Sequence, residues 1–235
     1  MVVKKILLQG AMDIETDYLI GQVKNMPDYQ CLEKNNMVFH TASEADKVYI
    51  VSVTGMGTVK AAMATTYALE AFHPTLVVNQ GTAGAQLRTL STGDVVLAKE
   101  AVNINALSMP KKKLGEGSNP FSWEGFHTEY YKADDALLKL YSDGEYTSGR
   151  MVKGSVATGD IFSREDDRIV WLEEKFGTAC EDMETAAVYE VCEAFRTPCV
   201  GLRIISNNEL LDEEFNEETA ELLQRYVWKI THDVL

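Results

Sequence analysis

The sequence predicts an α/β fold, a single domain over residues 1–235 whose central mixed, twisted sheet is flanked by helices on both faces. Three observations lead there. Strand-like and helix-like patterns alternate along the whole chain. Most strand-like runs are continuously apolar, the pattern of strands covered on both sides. A length of 235 residues, with 46% hydrophobic and 25% charged side chains, suits one domain of this class.

The elements follow in order. Strands are expected at 4–9, 48–53, 75–79, 94–98, 151–156 and 198–205. The first centres on Ile6-Leu7-Leu8, and the last is the apolar run that ends in Arg203-Ile204-Ile205-Ser206-Asn207. Helices are expected at 13–23, 59–72, 133–141, 165–176, 183–195 and 217–234. Alternation of this kind implies a largely parallel or mixed sheet. Residues 103–131 break the rhythm and read as a long loop, carrying Pro110, Lys111-Lys112-Lys113 and the aromatic cluster Phe121, Trp123, Phe126, Tyr130 and Tyr131. Long loops in compact domains are uncommon and often functional. Those aromatics need a cover, which a partner subunit, the substrate or the loop's own domain would supply.

Composition excludes several functions. The net charge is −14, from 36 acidic and 22 basic residues. So negative a surface repels phosphate backbones and anionic lipid, so neither nucleic acid nor membrane is the expected partner. No apolar run approaches the ~20 residues that span a bilayer, and the N-terminus has no leader pattern, which predicts a cytoplasmic protein. Cys31, Cys180, Cys192 and Cys199 lack metal-site spacing. They are expected to be reduced and buried, with no metal and no cofactor.

Several short motifs carry the chemistry. Gly55-Met56-Gly57 and Gly81-Thr82-Ala83-Gly84 each follow a strand, and read as turns whose exposed amides suit an anion or a hydroxyl-rich ligand. Neither is a P-loop or a full dinucleotide fingerprint. Glu15 falls just past the first strand, in the first turn of a helix, and Glu184 begins another helix after the short stretch 178–181. Helix-start electrostatics alone would account for either carboxylate. Open α/β sheets, however, gather ligands at the carboxyl ends of their strands. Glu15, Glu184 and Asn207 together give three strand ends one edge.

Taken in order, Gly10-Ala11-Met12-Asp13-Ile14-Glu15, Gly55-Met56-Gly57, Gly81-Thr82-Ala83-Gly84, Thr158-Gly159-Asp160-Ile161-Phe162, Asp182-Met183-Glu184 and Arg203-Ile204-Ile205-Ser206-Asn207 resemble the purine nucleoside phosphorylase and uridine phosphorylase superfamily. Within it the likeness is greatest to the bacterial 5′-methylthioadenosine/S-adenosylhomocysteine nucleosidases. It runs from about Lys4 to the C-terminal helix. The resemblance implies a three-layer nucleoside phosphorylase-like fold, hydrolysis of a purine N-glycosidic bond in methionine recycling or purine salvage, and a homodimer whose partner subunit lines the 5′ pocket. It makes Glu15 the base that activates water, with Thr82 and Arg203 supporting the water site. It places Asp182, Met183 and Glu184 at the ribose, with Glu184 on the 2′- and 3′-hydroxyls. It stacks Phe162 on the purine and has the backbone at Ile161 and Ser163 read its edge. Ala83, Gly84 and Ser206 complete the substrate contacts.

Two departures matter. No basic residue lies in Ala11-Met12-Asp13-Ile14-Glu15 after Gly10, and Glu15 stands where a phosphorylase holds phosphate, which favours water over phosphorolysis. Asn207 occupies the position of the nucleosidases' purine-protonating aspartate, and an amide has no titrating proton near neutrality. A 6-oxopurine nucleoside such as inosine or futalosine is therefore an alternative substrate, a phosphorylase is an alternative enzyme, and a non-catalytic nucleoside binder is a third reading. Glu209, two residues on, supplies the acid if the strand end bulges.

Overall fold

The structure is a computed structural model and describes residues 3–117, 119–125 and 128–235. Its strands are β1 (Lys4–Gly10), β2 (Gln30–Lys34), β3 (Met37–Glu44), β4 (Lys47–Val53), β5 (Leu76–Ala85), β6 (Val95–Asn103), β7 (Leu107–Ser108), β8 (Glu124–Gly125), β9 (Tyr130–Lys132), β10 (Met151–Thr158), β11 (Cys180–Asp182) and β12 (Cys199–Asn207). Its α-helices are α1 (Asp17–Lys24), α2 (Thr58–Phe72), α3 (Asp135–Asp143), α4 (Asp166–Phe176), α5 (Thr185–Phe195) and α6 (Thr219–Lys229).

Ten strands form one mixed sheet in the order β11-β10-β6-β12-β5-β1-β4-β3-β2, with β9 added on β6. β1, β4, β5 and β12 run parallel, while β6 lies antiparallel to β12. The sheet does not stay open. β11 pairs parallel with β10 and antiparallel with β5, so five strands close into a ring.

Period-2 alternation explains the continuous apolar runs. In β1, Leu7 packs into one core with Phe39, Ala64, Ala68, Val188 and Tyr189, against α2 and α5. Its neighbours Ile6 and Leu8 point to the other face and pack with Leu19, Tyr141, Leu223 and Val227, against α1, α3 and α6. Both faces are dry, so both registers must be apolar.

Four expectations are corrected. The first helix does not begin at residue 13: Asp13–Glu15 is a 3₁₀ turn, and α1 follows from Asp17. The last helix is α-helical only to Lys229 and widens to a π-turn over Ile230–Val234. Gly81-Thr82-Ala83-Gly84 is no turn but the second half of β5. A hairpin was missed, β2–β3, whose Asn35 and Asn36 both sit at positive φ (52° and 61°), the backbone a two-residue primed turn needs.

The aromatic loop packs on its own chain. Tyr130 Oη donates to the Phe176 carbonyl at 2.9 Å, Phe121 lies 6.4 Å from Trp171, and Tyr131 packs against the α2–α5 core. Phe126 lies outside the described residues. Cys180, Cys192 and Cys199 are buried free thiols, whereas Cys31, on the solvated strand β2, is exposed. No helix among the described residues is long and apolar enough to cross a membrane.

Candidate active site

A cavity of about 340 Å³ opens at the carboxyl ends of β1, β5, β10, β11 and β12, within the usual range for small-ligand sites. Glu15 and Glu184 both line it.

Glu15 is 3% exposed and held from four directions. Its Oε1 accepts the Thr82 amide at 2.7 Å and the Thr82 hydroxyl at 2.9 Å. Its Oε2 accepts the amides of Ala11 at 2.8 Å and Met12 at 3.2 Å. Gly81 makes this possible: a Cβ there would lie 2.7 Å from Glu15 Oε1 and 2.9 Å from Arg203 Nη1. The glycine serves close approach of side chains to the strand rather than a turn.

Glu184 stands at the N-cap position of α5, its side chain turned away from the helix: its Oε1 accepts the Gly57 amide at 2.9 Å, so the glycine turn before α2 does present a donor to the site. Burial, reinforced by the nearby Asp182 charge, raises the Glu184 carboxyl above its ordinary range, against the opposing pull of Arg203 and the Gly57 amide. Asp182 faces inward. Its Oδ1 accepts Thr158 Oγ1 at 2.5 Å, and its Oδ2 accepts the Thr185 amide at 2.9 Å, Thr185 Oγ1 at 2.5 Å and Arg203 Nε at 2.6 Å. Those contacts fix the β11–α5 corner that carries Met183 and Glu184.

Arg203 lies behind the cavity wall rather than on it. It is 1% exposed and also donates to Thr185 Oγ1 and Asn79 Oδ1. Burial works against its charge, yet Asp182, Glu184 and Glu15 outweigh that and hold its pKa above the ordinary value. The buried guanidinium is paired with Asp182 at 2.6 Å, the condition under which buried charge is tolerated.

The base end is different. Ile161 and Phe162 line the cavity at 51% and 56% exposure, on the segment between β10 and α4. Ser163 Oγ donates to Glu181 Oε1 at 3.0 Å. Asn207 ends β12 beside Gly84, just after a register shift between Ile205 and Asn207. Its Oδ1 accepts Ser206 Oγ at 3.0 Å, and its Nδ2 donates to Glu209 Oε1 at 3.2 Å. The strand end therefore does bulge and Glu209 does line the cavity, but Glu209 also meets Arg164 at 3.3 Å. Ala83, Gly84 and Ser206 form the floor.

Several residues were missed in the sequence. Glu181, Gln86, Ile169 and Phe215 line the cavity. Asp160, inside the Thr158–Phe162 motif, accepts the Thr58 amide at 2.7 Å and hydroxyl at 2.9 Å, and so pins the start of α2 to this loop. Among the described residues, no group of three or more His, Cys, Asp or Glu is arranged to hold a metal ion.

Paired buried carboxylates across a mostly apolar cavity, at the strand ends of a mixed α/β sheet, define an α/β enzyme site for a small ligand. The sequence profile of the phosphorylase superfamily matches residues 5–232. The 5′-methylthioadenosine/S-adenosylhomocysteine nucleosidase of Bacillus pumilus is 32% identical over 224 residues, covering 94% of this chain and 92% of that one. The chain belongs to the phosphorylase superfamily and, within it, to the family of these nucleosidases. Its fold matches the native futalosine hydrolase of Helicobacter pylori with a TM-score of 0.82 and 25% identity over 99% of each chain. It matches equally, at 0.82 and 23% identity over the whole of both chains, the Helicobacter pylori 5′-methylthioadenosine/S-adenosylhomocysteine nucleosidase with butyl-thio-DADMe-Immucillin-A.

Proposed function

We propose that this protein hydrolyses the N-glycosidic bond of 5′-methylthioadenosine and S-adenosylhomocysteine, releasing adenine and the 5-thio-ribose. The observation that carries the reading is the pair of buried carboxylates, Glu15 and Glu184, on one cavity. Curated relatives at 31–32% identity over more than nine-tenths of the chain bear that activity in their names.

The reaction passes through an oxocarbenium-like sugar, which needs a nucleophile on the face away from the leaving base and negative charge nearby. Glu15, with four hydrogen bonds holding its plane, accepts a proton from water at C1′. Glu184 accepts hydrogen bonds from the 2′- and 3′-hydroxyls; its raised pKa is relieved when two hydroxyl donors reach it. Met183 lies under the sugar, and Phe162 closes over the purine. Asn207 donates one N–H to N7. Thr82 and Arg203 act on the water site through Glu15.

A second copy of the chain as partner fits the cavity mouth. Met56 lines the cavity at 56% exposure, and Val59 and Met63 extend an apolar strip along α2, 76% and 45% exposed. Purine and methionine salvage is the setting such a reaction serves.

Asn207 favours a second reading, a 6-oxopurine nucleosidase of the kind the futalosine hydrolase neighbour represents. One experiment separates them: incubate the protein with methylthioadenosine, adenosylhomocysteine, inosine and futalosine, with and without phosphate, and identify the base. Adenine release without phosphate is expected. Release from the oxopurines alone establishes the second reading, dependence on phosphate a phosphorylase, and no release from any of them a nucleoside binder.

A further inference from the structure

Departure of a purine from C1′ needs proton donation or its near equivalent somewhere on the ring. Asn207 brings a hydrogen bond but no titrating proton. Glu209 beside it is engaged as an acceptor, by Asn207 Nδ2 at 3.2 Å and by Arg164 at 3.3 Å. Another carboxyl is on the wall, and the mechanism above does not use it.

Glu181 is 8% exposed and lines the cavity from β11. Its placement relative to Asn207 is fixed by strand pairing. Gly84 on β5 is the register partner of both, Asn207 on one side and Glu181 on the other. Register partners share a face of the sheet, so both side chains rise into the same space. Gly84 raises no side chain between them, leaving a slot bounded on one side by the Asn207 amide, whose Nδ2 lies 3.5 Å from where a Gly84 Cβ would sit. With the sugar at Glu184, on the same β11–α5 corner as Glu181, N3 is the ring nitrogen turned toward β11.

The wall around Glu181 is incomplete in the same direction. Gln86 is 3% exposed, its Oε1 accepts Thr178 Oγ1 at 2.5 Å, and its Nε2 has no hydrogen-bond partner among the described residues. Ser163 donates to Glu181 Oε1, and the Gln86 side chain also approaches this carboxyl closely enough to lower its pKa.

We infer that Glu181 is a further catalytic residue of this site: its carboxyl proton passes to purine N3 as the C1′–N9 bond breaks, while Asn207 holds the N7 edge. The electron pair of that bond goes to the purine, which leaves as its neutral N3–H tautomer. Water forms the new C1′–O bond and gives its proton to Glu15, and solvent exchange restores both carboxyls. The surroundings leave Glu181 about half protonated at neutrality: burial pushes it up to about 7 and Asp182 adds to that, against Ser163, Arg168 on α4 and Gln86. The inference rests on the nucleosidase reading above.

Three substrates test it: methylthioadenosine, its 3-deaza analogue and its 7-deaza analogue, each with the wild type and with Glu181→Gln. The wild type is expected to cleave the 3-deaza compound at least about a hundredfold more slowly than the parent, and the 7-deaza compound within about tenfold, on the scale of general acid catalysis. In Glu181→Gln the parent slows to the 3-deaza rate, and the descending limb of the kcat–pH profile above about pH 7 disappears. A 3-deaza rate near the parent's overturns the assignment, as does a 3-deaza defect that Glu181→Gln leaves unchanged. If the variant does not fold, the wild-type contrast between the two analogues decides alone. If the parent itself is not cleaved, the nucleosidase reading fails and the inference falls with it.

Discussion

The two ends of the cavity are built in opposite ways. At the sugar end the carboxylates have partners before any ligand arrives: four donors on Glu15, four on Asp182, and the Gly57 amide on Glu184. At the base end Ile161 and Phe162 stand half exposed, and Gln86 keeps a buried Nε2 without a hydrogen-bond partner among the described residues. A saturated network sets its geometry in advance, the condition for orienting water and sugar with little reorganisation. An unsaturated one leaves hydrogen bonds for the ligand to complete, so discrimination between bases belongs there.

The largest expected effect tests the sugar end. Glu15→Gln keeps the shape and removes the base, so kcat in base-release assays falls by about 10²–10⁴-fold with KM little changed. A kcat within about tenfold of wild type would mean that water is activated elsewhere. Next, Asp182→Ala leaves Arg203 buried without its ion-pair partner at 2.6 Å, a loss of about 3–5 kcal/mol in denaturant unfolding. A loss below about 1 kcal/mol would show that the network is not preformed.

The base end predicts smaller changes. Glu181 holds its proton more tightly folded (about 7) than unfolded (4.5), so its contribution favours the folded state at low pH and is lost as pH rises from 4.5 through about 7. Glu181→Gln should therefore stabilise the ligand-free protein above pH 7, by on the order of 3 kcal/mol, and have little effect near pH 4. Thermal melts across that range would show it; equal gains at both ends of the range would refute the titration. Smallest, Phe162→Ala removes one exposed stacking face, raising KM by about 1 kcal/mol, or roughly fivefold, at unchanged melting temperature.

What was legible in the sequence follows the same division. The sheet strands covered on both faces announce themselves as apolar runs, and β1, β4, β5, β6, β10 and β12 were all readable. β2 is solvated along its whole length, so no hydrophobic pattern marks it, and only Asn35-Asn36 signalled the hairpin. Glu15 and Glu184 were legible because strand-end acids are local features. Glu181 was not: its burial depends on pairing with Gly84, almost a hundred positions away, and a charged residue beside a motif reads as surface. The glycines of β5 misled for a related reason. Their purpose is closeness to Glu15, Arg203 and Asn207, which exists only in the folded sheet.

The double pairing of β11 has a consequence for how the molecule comes apart. This three-residue strand is the seam where the ring of strands shuts, held to β10 on one side and to Gly84 and Ala85 on the other. Unzipping it would part Glu181 from the slot and pull Asp182 away from Arg203 in one motion. The site and the closure are thus a single cooperative unit. A sheet opened at β11 would lack a working pocket, and the amides of Cys180 and Glu181 are expected to exchange with solvent as slowly as the whole fold opens.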